Sequence, residues 1–357
     1  MKNVNIHFNE EDWARIARDW TAWWNHELDR PLVTIQTQIK QVDTPKPLGS
    51  TALYPLDMPA GEVLDLYQPP MDVTRYHGDA FPQWWPNFGP GIGAGFLGAK
   101  VVPQPETVWY EPEVEIAPAE LHLSFDPDNI WWKRVCELTA LAAERWQGKA
   151  VVGYTDIGGN LDILASLRTT EKLLMETFDA PEEIDRLASE VTKHWLLYFE
   201  ELHKLTDAAG RGHSTWAGIW SAGRTYMLQC DFSYMISPDM FERWVLPDLT
   251  TCCEHLDHSF YHLDGPGELA HLDHLCNMPE LNGIQWIPGA GQKPPVDWPE
   301  VIDKIISSGK LCQIFGSAED ALKIVRRHGG KGFQFGVGGT DGWSDKKIAD
   351  FLAEIQK

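Results

Sequence analysis

From Asn129 onward the chain alternates between short apolar runs and longer stretches whose apolar residues recur three and four apart. The first pattern predicts strands buried on both faces, the second predicts helices with one buried face. The reading gives a helix over 129–147, a strand over 150–155, helices near 161–168, 170–178 and 181–206, and a strand over 213–217. Within 181–206, Ile184, Leu187, Val191 and Trp195 fall on one helical face. Pro238 begins a further helix with Ser237 as its N-cap, and Pro247 kinks it. Strands follow at 259–263, 281–287, 311–315 and 332–336, with helices at 268–276, 298–307, 318–328 and 344–354.

The first third is less regular. Residues 1–30 read as a helix in which Glu10, Glu11 and Asp12 open the turn and Trp13, Ile16, Trp20 and Trp23 repeat at helical spacing. Residues 32–36 alternate as a strand, and a short helix is expected near 61–67. The passage 82–118 contains Phe88-Gly89-Pro90-Gly91-Ile92-Gly93-Ala94-Gly95; loops of this length are usually functional. Its segments 101–109 and 114–116 predict an inserted hairpin. Strand–helix alternation with short connections implies parallel strands and right-handed crossovers. Seven strands are clear, and the eighth is expected within 90–110. The expectation is one domain over 1–357: an α/β protein, a TIM (β/α)8 barrel with an N-terminal helical extension and an inserted hairpin region.

Composition narrows the partners. A formal charge of −22 argues against nucleic acid. No run approaches about 18 apolar residues, so no membrane span is expected. Residues 1–7 lack the apolar stretch of a signal peptide, and the six cysteines show no framework spacing. Free thiols in a reducing, cytoplasmic compartment are the expectation, in a monomer or homodimer. Seventeen tryptophans are many. Core filling accounts for most, and a pocket for a flat ligand for some.

In a barrel, side chains at the carboxyl ends of the strands share one pocket. The segment Phe260-Tyr261-His262-Leu263-Asp264-Gly265 ends a strand in a polar pair and a glycine turn. His262 and Asp264 face the same side. They suit a base with its orienting carboxylate, or two metal ligands; a turn histidine with Asp264 capping the next helix is the plainer alternative. Asp156 and Asp162 could join Asp264 as the paired carboxylates that glycoside cleavage needs, or serve as turn anchor and cap. Asn160, Asp162, Trp216, Trp220, Tyr226, Gln229, Asp231, Gln285 and Trp286 are the candidate substrate-binding residues, with Arg168 and Arg224 on nearby loops or helix starts. The run from Gly89 to Gly93 matches neither GxGxxG nor GxxxxGK and carries little weight as a phosphate loop.

Several segments together resemble the uroporphyrinogen decarboxylase superfamily, which includes corrinoid-dependent methyltransferases. They are Leu28-Asp29-Arg30-Pro31, Phe88-Gly89-Pro90-Gly91, the run Tyr154 to Asp162, Asp231 with Ile236-Ser237-Pro238-Asp239-Met240-Phe241, His262-Leu263-Asp264-Gly265, and Gly329-Gly330-Lys331-Gly332-Phe333. The resemblance implies a barrel with its pocket at the strand carboxyl ends. The Arg-rich N-terminal motif that grips porphyrinogen carboxylates in the decarboxylases has no counterpart here. Zinc methyltransferases of the superfamily use His-x-Cys and a later cysteine; here the pair is His262 and Asp264, and the later position falls in Gly336-Val337-Gly338-Gly339. The resemblance implies zinc held by His262, Asp264 and a third group. A corrinoid would ride on a separate protein, because no DxHxxG motif occurs. Methyl transfer from a small methoxylated or methylated substrate is the leading reading, with catalysis by His262, Asp264 and Asp156. A metal-free decarboxylase or lyase, or a carbohydrate-cleaving enzyme using the same groups as acid and base, is the alternative.

Overall fold

The computed structural model describes residues 4–42 and 44–357. Eight strands follow one another along the chain: β1 Leu32–Gln38, β2 Gln83–Trp84, β3 Val151–Val152, β4 Thr225–Leu228, β5 His258–Asp264, β6 Gly283–Ile287, β7 Leu311–Gly316 and β8 Phe333–Val337. Strands β4 through β8 pair in order as parallel neighbours, and β8 pairs in parallel with β1. Strands β2 and β3 form their own parallel pair. Helices, including Ile130–Arg145, Pro181–Asp207, Pro299–Ser307, Ala318–His328 and Asp345–Ile355, alternate with the strands. This is the expected barrel.

The hydrogen-bond ladder is interrupted between β1 and β2 and between β3 and β4, and a tyrosine side chain bridges the second opening. Beside β1, the Asp79 amide donates to the Val33 carbonyl at 2.7 Å, while its carboxylate accepts the Val33 amide at 2.9 Å. That buried carboxylate is paired with Arg30 at 2.8 Å, and Arg30 also reaches Asp19 at 2.9 Å. A buried charge is tolerated when it is paired and hydrogen-bonded in this way. Between β3 and β4, the Tyr226 hydroxyl donates to the Thr155 carbonyl at 3.1 Å and accepts the Ile157 amide at 2.7 Å.

The amino end of the barrel is filled by helix α1, Glu10–Trp24, which Asn9 and Asp12 cap reciprocally. Its buried Trp13, Ile16, Trp20, Trp23 and Trp24 pack with Leu32, Val151, Met227, Phe260 and Leu311 near the strand starts. Trp23 stacks on Phe260 at 5.7 Å. Core filling therefore accounts for these indoles. The helix begins at Glu10, later than the 1–30 reading; residues 1–3 of that reading lie outside the described residues.

Other elements differ from expectation. The fourth strand is Thr225–Leu228, not 213–217; the earlier segment turns back at Gly218 (φ +69°) and makes a single bridge from His213 to Ser221. The second strand is only Gln83–Trp84, before the region where the eighth strand was sought. The inserted hairpin exists, with arms Lys100–Pro103 and Val108–Glu111. Thr74–Gly78 adds an unanticipated antiparallel strand beside β1. Ser237 caps its helix as expected, accepting the Met240 amide, and the helix breaks at Val245 just before Pro247. Among the described residues, no helix is long and apolar enough to cross a membrane, and all six cysteines are free.

The glycine-rich passage is a packing device. The Ile92 amide donates to the Asp156 carbonyl and the Gly93 amide to the Ile157 carbonyl, each at 3.0 Å. A Cβ on Gly158 (φ +94°) would stand 2.7 Å from Gly91 Cα, and one on Gly159 would stand 2.0 Å from the Gln229 carbonyl oxygen. Backbone thus meets backbone where Asp156 leaves β3. Gly159→Ala has no helical or left-handed strain to absorb, only this overlap, and is expected to cost about 1–3 kcal/mol; thermal unfolding of the variant reads it, and an unchanged Tm contradicts the contact.

Candidate active site

The site begins with strand register. His262 lies opposite Gln285, Gln285 opposite Gln313, and Gln313 opposite Gln334, on β5, β6, β7 and β8. The three glutamines are buried. Gln313 Nε2 donates to the Ala217 carbonyl at 2.9 Å, and Gln285 Nε2 donates to Gln313 Oε1 at 2.5 Å. Gln285 Oε1 then meets His262 Nδ1. A backbone carbonyl only accepts, so the direction of the whole chain is set from Ala217 outward. His262 must carry its proton on Nδ1, which leaves the Nε2 lone pair facing the mouth. Sequence reasoning assigned Gln285 to the substrate; the structure makes it the group that orients the histidine.

His262 Nε2 lies 4.0 Å from Asp264 Oδ2. Asp231, at the end of β4, completes the group: ligand atoms of Asp231, His262 and Asp264 lie within 4.8 Å of one another. Asp231 was expected to bind substrate, so its approach to His262 was not read; nothing in the sequence spacing links the two. The Asp162 carboxylate anchors this loop by accepting the amides of Asp231 at 3.1 Å and Phe232 at 2.7 Å. On the other side, the Asp264 amide donates to Glu268 Oε2 at 3.3 Å. Gly265 (φ +84°) turns the chain there.

A cavity of about 300 Å³ opens over the cluster and is lined by Trp85, Asp156, Trp216, Gln229, Asp231 and His262, among others. Trp216 meets the His262 ring edge-on at 5.1 Å. Asp156 accepts the Gly158 amide at 2.9 Å and Gln229 Nε2 at 3.2 Å. A second opening of about 670 Å³ shares Gln229 and Asp231 and runs past Asp162 to Trp109 on the inserted hairpin.

The remaining candidates lie elsewhere. Trp220 packs with α1 at the amino end and donates its indole N–H to the Arg211 carbonyl. Tyr226 is spent on the β3–β4 seam. Trp286 is fully buried, edge-on to Trp298 at 5.5 Å. Asn160 donates to the Trp244 carbonyl at 2.9 Å and is buried. Asn160 and Trp286 sit on elements that were located but face another layer, whereas Trp220 and Tyr226 follow from the strand placed at 213–217 instead of 225–228. Arg168 pairs with Glu176, and Arg224 with Glu200; neither lines the two openings.

Electrostatics at the mouth are one-sided. Burial, reinforced by Asp231, raises Asp156 to about 7 and Asp162 to about 8. Burial with the neighbouring Asp264 carboxylate raises Asp231, although His262 opposes the shift. Burial and Asp231 raise Glu268 to about 10. No lysine or arginine counts among the groups acting on these four. A substrate rich in carboxylates would find no cationic side chain lining either opening. The donor set of one imidazole nitrogen and two carboxylates does fit a divalent metal, zinc included.

Two measurements follow. Gln285→Leu removes the acceptor that fixes the His262 tautomer, and metal affinity is expected to fall about 10–100-fold; competitive chelation reads it. The folded protein also keeps a proton on Asp156 where the unfolded chain, near 3.8, has lost it. That contribution is present below about pH 4 and lost as pH rises through about 7. In metal-free protein, Asp156→Asn should flatten the fall in Tm between pH 5 and 8; an unchanged slope contradicts the buried-carboxylate account.

No protein-family model matches the chain, and no curated protein matches it. Solved structures do. A methyltransferase from Methanosarcina mazei aligns over 95% of this chain and 98% of its own, at 11% identity and a TM-score of 0.60. A B12-independent methionine synthase from Shewanella sp. W3-18-1, in complex with selenomethionine, aligns over 73% of this chain and 74% of its own. Its identity is 12% and its TM-score 0.39, too low to bear on the argument. At such identities the likeness to the Methanosarcina enzyme is one of fold: the barrel that the sequence resemblance implied is the barrel observed.

Proposed function

We propose that this protein is an enzyme that moves a methyl group from a small methylated or methoxylated substrate to a corrinoid carried by a separate protein, with Asp231, His262 and Asp264 holding a zinc ion. The observation that carries the reading is the convergence of one imidazole and two carboxylates at the mouth of a barrel, in a fold shared with a solved methyltransferase. Zinc bound there would polarise the heteroatom that the methyl group leaves, the step that limits demethylation because alkoxide is a poor leaving group. The chain's own residues prepare that step. Gln285 holds His262 in the tautomer that offers Nε2. Asp162 fixes the loop that carries Asp231. Trp85 and Trp216 wall the adjoining cavity, where the substrate would sit out of bulk water.

One observation favours a second reading. Asp156 titrates at about 7, in the range that suits a general acid at neutral pH. A metal-free lyase or sugar-cleaving enzyme would use it as proton donor, with His262 as its partner.

Metal analysis separates the two. Protein purified with zinc present is expected to hold one ion per chain, which His262→Ala and Asp231→Ala each lose. With a reduced corrinoid and methylated donors, methyl-cobalt absorbance should grow, at least about 100-fold more slowly in His262→Ala. Zinc-replete protein that retains no metal, and whose turnover survives chelation, transfers the case to the acid–base reading.

A further inference from the structure

The methyl-transfer reading leaves the chemical class of the donor open, and the walls of the cavity narrow it. Its acidic lining groups are Glu106, Asp156 and Asp231, and among the described residues no lysine or arginine lines it. The adjoining opening adds Glu111, Asp162 and Glu171, again with no basic side chain. The arginines nearest in sequence are bound elsewhere: Arg168 donates to Glu176 and to the Ile116 carbonyl. The remaining walls are two indoles, Trp85 and Trp216, and uncharged polar groups such as Gln229 and Asn87.

Asp156 is the informative wall. It is 6% exposed, yet it has no cationic partner; its bonds come from the Gly158 amide and the Gln229 amide group. A buried carboxylate without a counter-charge is costly, and proteins normally pair it. At the amino end the chain does so, giving Asp79 and Asp19 to Arg30. At the mouth it leaves the anionic side open, beside two indoles, in a space of about 300 Å³. Indoles and carboxylates with no lysine or arginine among them are the chemistry that recognises alkylated ammonium groups. A neutral ether or an anionic substrate would leave the carboxylates uncompensated.

We propose that the donor is a small alkylammonium cation bearing N-methyl groups, seated between Trp85 and Trp216 with its charge against Asp156 and Glu106. This rests on the methyl-transfer reading for its reaction and on the cavity alone for its binding. In the transfer, the carbon–nitrogen bond breaks and its electron pair stays on nitrogen, which departs as a neutral amine. The methyl carbon bonds to the reduced corrinoid, which supplies the new pair. The nitrogen already carries the positive charge that zinc would induce on a methoxy oxygen, so neither zinc nor a proton has to act on it as it leaves, and the task of Asp156 is to hold charge.

Binding tests the idea without turnover. Choline and its neutral isostere 3,3-dimethylbutan-1-ol would be titrated calorimetrically into the zinc-loaded full chain, with methoxyacetate as the anionic probe. Choline should bind at least about tenfold more tightly than the isostere, and methoxyacetate should not bind. Asp156→Asn, which keeps an acceptor for the Gly158 amide, should abolish the preference, and Trp216→Leu should weaken choline about tenfold. Glu106→Gln, at the cavity rim, gives a second reading should Asp156→Asn fail to fold, and should reduce the preference by itself. Equal binding of choline and its isostere, or preferential binding of methoxyacetate, overturns the proposal. Choline binding without methyl transfer to a reduced corrinoid would uphold the seat and sink the reaction. Methyl transfer from neutral methoxy donors with no choline binding would do the reverse.

Discussion

The carbonyl of Ala217 determines which way His262 faces chemically. An oxygen that can only accept fixes the Gln313 amide, which fixes the Gln285 amide, which fixes the protonated nitrogen of His262. The ends of this chain come from distant parts of the sequence, and the register of β5, β6 and β7 brings its side chains into line. It also explains why the 213–221 segment is not a strand. Folding back at Gly218, it turns the Ala217 carbonyl toward Gln313, where a regular ladder would commit that carbonyl to a neighbouring strand. A metal-binding or proton-handling histidine needs its tautomer decided, and here the backbone decides it.

The distribution of positive charge is the complement of that arrangement. Arg30 pairs with Asp79 beside β1, and Arg168 ties a helix end to Glu176. Cations thus serve the scaffold, while the mouth keeps carboxylates that burial has made weak acids. Such groups are poised to ionise when positive charge arrives, whether as a metal ion at the Asp231 cluster or as an organic cation in the cavity. Among the described residues, no lysine or arginine lines either opening to meet a substrate's carboxylates.

Periodicity made most of the barrel legible. The helices 129–147 and 181–206 and the strands from 259 onward were evident because their apolar spacing is strict and their lengths ordinary. A two-residue strand such as Gln83–Trp84 has no period to detect. The strand at 225–228 was missed because it spans only four residues, too few for a period to stand out, and the run at 213–217 took its place. Within the site, His262 and Asp264 stood out because alternation puts them on one side of one strand. Asp231 and Gln285 were noticed but given other work, since their partner His262 lies on a neighbouring strand whose register the sequence does not display. Tyr226 and Trp286 show the limit from the other direction: a residue near a strand end can face the surrounding helices as readily as the pocket.

The inserted hairpin is joined to the mouth by few bonds. Tyr110 donates to the Phe88 carbonyl at 2.6 Å, Val108 lies under Gly89, and Trp109 stays 61% exposed. The strand-end groups that would do chemistry come from β4 and β5, and none of them is on this insertion. The molecule thereby separates inheritance from adaptation. Descendants of this chain can trade one hairpin for another, and so admit different guests, without renegotiating the reactive centre.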